Sequence, residues 1–281
     1  SKSSIKNNFH EYLGLNMHPM LNIAVKAARK AGSVITRASE DIERLTINKK
    51  SYNDFVSEVD ITSEKIIIDT LKEAYPNHSF LGEESGLSED SDNTWIIDPL
   101  DGTTNFLHNF PQYAISIALM QRGEITQGVV YDPNRNDLFT ASKGQGAFLN
   151  DRRIRVSKKN KMRDALIGTG FPFRDFKYLS DYLKILEDII LNTSGVRRPG
   201  AAALDLAYVA AGWLDGFWEI GLSKWDIAAG GLIVREAGGI VSDFSEQQDW
   251  LESGNIICSN PEIYNPFIKL VQKKLPKELK N

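Results

Sequence analysis

The sequence predicts a mixed α+β and α/β fold, on three observations. Two stretches of helical periodicity lie before residue 76, residues 112–149 alternate as an antiparallel meander does, and strands alternate with helices from residue 165 onward. In the first helical stretch, residues 18–41, Leu21, Val25, Ala28, Val34 and Ile35 recur at helical spacing. Residues 60–75 form a second amphipathic helix, which Pro76 ends. Within the meander, Arg122-Gly123 and Asp132-Pro133 mark turns between strands. Beyond the basic stretch 152–161, strands are expected near residues 165–169, 216–219 and 239–243, and helices near 179–192, 201–211 and 227–237. A composition shift near residue 155 divides the chain into an α+β half, 17–155, and an α/β half, 156–281. The polar residues 1–16 read as a flexible leader.

Composition narrows the function classes. With 281 residues, 42% of them hydrophobic, the chain can bury a large core. A net charge of −4 gives no general attraction to nucleic acid or to a membrane surface, and no apolar run approaches the length of a membrane span. The lone cysteine, Cys258, excludes an internal disulfide and suits a reducing cytoplasm. Its neighbours Ile256-Ile257 make it a buried strand residue, with no base in sight to activate it. The cations Arg152, Arg153, Arg155, Lys158, Lys159 and Lys161 lack interleaved aromatics, so they read as a solvated face and no direct nucleic-acid binding is expected. His108 reads as a solvated loop histidine, and Trp213, Trp218 and Trp225 as core or dimer contacts.

The segment Trp95-Ile96-Ile97-Asp98-Pro99-Leu100-Asp101-Gly102-Thr103-Thr104-Asn105-Phe106 carries the most chemistry. Trp95 to Ile97 read as the end of a buried strand, Pro99 and Gly102 force a turn, and a helix starts at Gly102. A helix start offers free N–H groups that suit phosphate, and aspartates without nearby His or Cys favour a hard cation such as Mg²⁺. Taken singly, Asp-Pro and Asp-Gly pairs mark only turns. Two other places bear acids in similar settings. Ser79-Phe80-Leu81-Gly82 runs into Glu83-Glu84, which by itself reads equally as a solvated strand end. Asp226, after Lys224-Trp225, precedes a helical stretch ending at Gly238-Gly239 and reads equally as an N-cap.

Together these motifs resemble the inositol monophosphatase family of Mg²⁺-dependent, lithium-sensitive phosphatases. The resemblance runs from about Met17 to the end of the chain. It rests on Asp98-Pro99-Leu100-Asp101-Gly102-Thr103-Thr104-Asn105-Phe106, on Trp225-Asp226 with Ala228-Ala229-Gly230 and Glu236-Ala237-Gly238-Gly239, and on Glu83-Glu84. The bacterial SuhB-type branch is similar also in Met17-His18-Pro19-Met20-Leu21-Asn22-Ile23-Ala24-Val25 and in the run from Ala203 to Gly212.

The resemblance implies a layered α-β-α-β-α sandwich with the site between its halves, a homodimer, and hydrolysis of a polyol phosphate such as myo-inositol 1-phosphate. It implies one Mg²⁺ on Glu83, Asp98 and the Leu100 carbonyl, and a second on Asp98, Asp101 and Asp226. Thr103 and Glu83 would orient and deprotonate the attacking water, with Asp60 accepting from the Thr103 hydroxyl. Asp60 reads equally as part of a plain helix N-terminus, Asp60-Ile61-Thr62-Ser63-Glu64. Lys49 stands where the family has a loop lysine near the metals, though Lys50 departs from the small residue usual after it, and Lys49-Lys50 reads equally as a solvated basic pair. Gly102, Thr103 and Thr104 would hold the phosphate, and Asp101, Ala202 and Glu219 would contact the polyol. The SuhB-type branch adds a role from another class: a scaffold in ribosomal RNA transcription antitermination, binding Nus factors or RNA polymerase.

Overall fold

The structure is a computed structural model. It describes residues 17–42 and 49–280, with side chains in the second helix described from residue 58. Two sheets and three sets of helices stack as five layers. Helices α1 (Pro19–Ile42) and α2 (Lys49–Ala74) cover one face of an eight-stranded sheet. In chain order that sheet contains β1 (Ser79–Gly82), β2 (Gly86–Leu87), β3 (Asn93–Asp101), β4 (Ala114–Gln121), β5 (Glu124–Asp132), β6 (Asp137–Ser142), β7 (Gly146–Leu149) and β8 (Arg152–Ile154). Its spatial order is β2-β1-β3-β4-β5-β6-β7-β8, antiparallel except for the β1–β3 pair. The second sheet has five strands: β9 (Leu166–Thr169), β10 (Gly195–Arg197), β11 (Gly216–Glu219), β12 (Ile240–Ser242) and β13 (Ile256–Ser259). They lie in the order β10-β9-β11-β13-β12.

Between the sheets run α5 (Ala202–Ala210) and α6 (Lys224–Glu236); the other α-helices among the described residues are α3 (Thr103–Leu107), α4 (Leu179–Asn192), α7 (Trp250–Ser253) and α8 (Pro261–Lys274). One core joins α5 and α6 to both sheets, through Ile96, Ala118 and Val130 on one side and Phe217, Val241 and Cys258 on the other. A second core lies under α1 and α2, and a third under α4 and α8. This is the layered α-β-α-β-α sandwich that the resemblance implies.

Periodicity located the meander and the later strands and helices because each buries one face or one stripe. The Arg122-Gly123 turn is left-handed at both residues, φ 51° and 82°, as a two-residue hairpin with the strand twist requires. Basic residues 152 and 153 fall on β8, the edge strand, where charge discourages pairing with another chain.

Two expectations change. Helix α2 begins at Lys49, so Asp60 sits within a helix and not at its start. No Gly or Pro occurs between residues 49 and 74 to stop the helix. Lys49 accordingly opens a helix instead of lying in a loop, and its side chain lies outside the described residues. Of the tryptophans read as core or dimer contacts, Trp218 is fully buried in the core, and Trp213 is 43% exposed, lying beside Tyr208 and Phe139 with the Arg135 guanidinium over its ring.

Candidate active site

Strand β3 does not end at Ile97 but continues through Pro99 to Asp101. Its register against β4 slips once: Asp98 faces Ser116, whereas Asp101 faces Ala114, so one extra residue is held in a bulge. Proline has no N–H to give the ladder, which is why the slip falls there. In an unbroken strand residues 98 and 101 would point to opposite faces. The extra residue brings Asp101 round to the face of Asp98, where the inter-sheet helices lie.

Gly102 turns the chain out of β3 with φ 89°, and a Cβ there would come within 2.9 Å of the Gln112 carbonyl. Helix α3 then opens at Thr103 and is anchored by Phe106, which is fully buried. Asn105 ties this turn to the second half of the chain, its amide donating to the carbonyls of Gln112 and Pro199 at 2.8 and 2.9 Å.

Asp226 arrives from the other half. It occupies the third position of α6, not the N-cap, and accepts from the Ser223 backbone N–H at 2.8 Å. Ser223 is the N-cap because its backbone is still extended while the following residues are helical. Asp98, Asp101 and Asp226 each present a carboxylate oxygen within 4.8 Å of the others. Asp101 is held by the Ala203 N–H at 2.7 Å, and Asp98 by the Leu100 N–H at 3.1 Å.

Glu83 follows the end of β1 beside Asp98, and the two carboxyl groups share a hydrogen bond. Its turn is fixed by Glu64 of α2, which is 2% exposed and accepts from the Glu84 and Ser85 N–H groups at 2.9 and 3.0 Å. A side chain at Gly82 would overlap Glu64, with Cβ only 2.3 Å from Oε1.

Among the described residues that line the pocket, the acids Glu83, Asp98, Asp101 and Asp226 face the cations Arg174 and Arg198. Burial, then the neighbouring acids, push Asp98 well above the usual carboxylate range. Burial and Asp226 raise Asp101 to about 8, and burial also raises Glu83. Asp60 rises to about 8 through burial and the charges of Glu84, Glu83 and Glu64, and its Oδ1 has no hydrogen-bond partner. The expected bond from the Thr103 hydroxyl to Asp60 is absent. That hydroxyl donates instead to the Leu100 carbonyl at 3.0 Å, the nearer acceptor across the tight turn.

The acids line a pocket of about 230 Å³ with Gly102, Thr103 and Thr104. It adjoins a cleft of about 370 Å³ that Ala202 and Glu219 line and that shares Asp101 and Asp226 with it. Burial raises Glu219 to about 8. Ala202 and Glu219 therefore lie next to the acids, in one continuous recess. His108 is exposed at the end of α3. Cys258 is fully buried in β13, and burial pushes its thiol far up, away from nucleophilic use.

Several residues in or behind the site lay beyond sequence reasoning. Glu64 looked like part of a helix start. Arg174 and Arg198 line both recesses, and Arg174 donates to Asp226 at 3.0 Å. The available signal was Gly170-Phe171-Pro172-Phe173-Arg174, an aromatic and basic loop directly after a strand. Asp205, fully buried on α5, also lines the cleft.

Comparison with known proteins places this geometry in context. A model of the inositol monophosphatase family matches residues 16–275. The chain is 50% identical over 270 residues to the Nus factor SuhB of Pseudomonas aeruginosa, covering 94% of this chain and 100% of that one. Among solved structures, the extragenic suppressor protein suhB of Bartonella henselae aligns with TM-score 0.85 at 46% identity, over 92% of this chain and 100% of that one. The inositol monophosphatase of Anabaena aligns with TM-score 0.80 at 34% identity, over 92% and 97%.

Proposed function

The chain belongs to the inositol monophosphatase family, and from that premise we propose that it hydrolyses a polyol phosphate monoester, foremost myo-inositol 1-phosphate, to the free polyol and phosphate. The carrying observation is the convergence of Asp98, Asp101 and Asp226 at the edge of a cleft lined by Glu219. Carboxylates alone, with no His or Cys among them, form the donor set of a hard divalent cation, and the raised pKa values of Asp98 and Asp101 mark acids in want of positive charge. Mg²⁺ fits these residues. Glu83, Asp98 and the Leu100 carbonyl would hold one ion, and Asp98, Asp101 and Asp226 a second. Bound there, Mg²⁺ supplies an acidified water and a charge partner for the leaving oxygen.

The chain's own groups supply the rest. Glu83 accepts a proton from the attacking water, which Thr103 orients. Asp60 stands behind the glutamates as an outer partner, and Lys49 is assigned to the same group by family pattern alone. Backbone N–H groups of Gly102, Thr103 and Thr104 face the phosphate oxygens. Glu219 and Asp101 accept from polyol hydroxyls, while the small side chain of Ala202 leaves room for the ring. A panel of sugar, polyol and nucleotide monophosphates, assayed with Mg²⁺ and with chelator, tests this reading. Preference for inositol 1-phosphate, Mg²⁺ dependence and inhibition by Li⁺ are expected, and turnover confined to nucleotides would contradict it.

A second reading is favoured by the Nus-factor name of the Pseudomonas relative. On it, this chain also serves as a scaffold in ribosomal RNA transcription antitermination, contacting Nus factors or RNA polymerase as a homodimer. Asp101→Asn separates the roles, since it removes charge from the site with little change in shape. At saturating Mg²⁺ the variant should lose hydrolysis yet still recover Nus factors from lysate. Loss of both in a folded variant would mean that the scaffold depends on the occupied site. Sedimentation at micromolar concentration tests the dimer.

A further inference from the structure

Arg174 lies in the segment between β9 and α4 and reaches into the acid pocket. One guanidinium nitrogen donates to Asp226 Oδ2 at 3.0 Å and the other to the Ser223 hydroxyl. Its charge also acts on Glu83, Asp101 and Glu219. Arg198, which lines the same pocket, is engaged differently: its guanidinium lies over the rings of Phe171 and Phe173, 4.9 and 5.5 Å from their centroids. Among the described residues, Arg174 is therefore the cation that directly meets an acid of the cluster.

We propose that Arg174 is a displaceable internal counterion: it neutralises Asp226 while no divalent cation is bound, and Mg²⁺ must displace it, so that Arg174 sets the affinity of the site for metal. This rests on the metal reading above. A guanidinium and a divalent ion crowded into a pocket of about 230 Å³ repel one another, so the two occupy Asp226 in competition. Arg174 is free to withdraw, because its side chain is 52% exposed while that of Asp226 is 5% exposed. The segment itself projects outward, with Phe173 and Phe176 62% and 61% exposed. A role in merely aligning Asp226 is less suited to the geometry. The carboxylate is already fixed by the Ser223 N–H and by burial in the first turn of α6.

The test compares wild type, Arg174→Ala and Arg174→Lys in two measurements: the thermal midpoint in chelator and the Mg²⁺ dissociation constant by titration calorimetry. Removing a counterion should lower the midpoint without metal and tighten Mg²⁺ binding about tenfold, with the lysine variant between. A merely structural arginine would weaken both on removal. A folded alanine variant whose Mg²⁺ affinity is unchanged or weaker overturns the proposal, and if that variant does not fold, the lysine variant decides on the same criterion. Wild type that binds no Mg²⁺ would instead strike the metal reading on which the proposal stands.

Discussion

Asp98 concentrates the physics of the site. It is 1% exposed, shares a hydrogen bond with Glu83, and is pushed upward by burial and by the charges of Asp101, Glu83 and Asp226. Such a group costs the metal-free fold free energy that a bound cation would return. Asp98→Asn should therefore raise the thermal midpoint in chelator, or leave it unchanged, while removing the rise that Mg²⁺ gives wild type. Calorimetric melting with and without Mg²⁺ checks this, and a midpoint that falls in chelator would mean that the carboxylate stabilises the fold by itself. At this scale the acids were legible because residue type and short spacing placed them: Asp98 and Asp101 share one turn with the Gly102-Thr103 helix start. Glu64 and Arg174 were not, because their partners are distant in the chain. Glu64 fixes the turn at Ser85, and Arg174 meets Asp226, through folds of the backbone that no local pattern reports.

Among the elements, the bulge in β3 and the two glycines beside it aim the acids. Gly82 lets β1 approach α2 closely enough for Glu64 to hold the Glu84–Ser85 turn. Gly82→Ala should displace that glutamate and cost about 1–3 kcal/mol, read from urea unfolding. Gly102→Ala adds a Cβ at φ 89° and 2.9 Å from a carbonyl, so a loss of about 2 kcal/mol or more is expected, together with weaker Mg²⁺ binding. An unchanged unfolding midpoint would show that the turn relaxes freely. Periodicity exposed most elements, since a buried stripe or face leaves its repeat in the sequence. It missed the first part of α2, whose residues 49–59 lack a clear apolar stripe, and it ended β3 too early because proline ordinarily stops a strand. The bulge that carries Pro99 is set by pairing with β4, which one strand's sequence does not encode.

Across the whole molecule, the five layers bring Asp226 from the second half against Asp98 and Asp101 from the first, so the cluster exists only in the assembled sandwich. Its acids make stability depend on pH in an unusual direction. Asp60 and Asp101 rise from 3.8 to about 8 and Glu219 from 4.5 to about 8, each chiefly through burial. Between about pH 4 and pH 8 the folded chain therefore holds protons that the unfolded chain has released, and metal-free stability should fall as pH rises through that window. Mg²⁺ should flatten the slope, because the ion takes the place of those protons. Melting across pH 5 to 8 in chelator and in Mg²⁺ reads this effect, and parallel curves would contradict it. The succession of helices, meander and alternating units was legible in the sequence, whereas the layering and the meeting of the halves came only through family resemblance. The most direct test of the central claim is the rate of inositol 1-phosphate hydrolysis as Mg²⁺ is titrated into chelator-treated wild type and Asp98→Asn. The account predicts no turnover without metal, recovery with Mg²⁺ in wild type, and a rate lower by at least about a hundredfold in the variant. Turnover that survives chelation, or a variant as fast as wild type, would place the chemistry elsewhere.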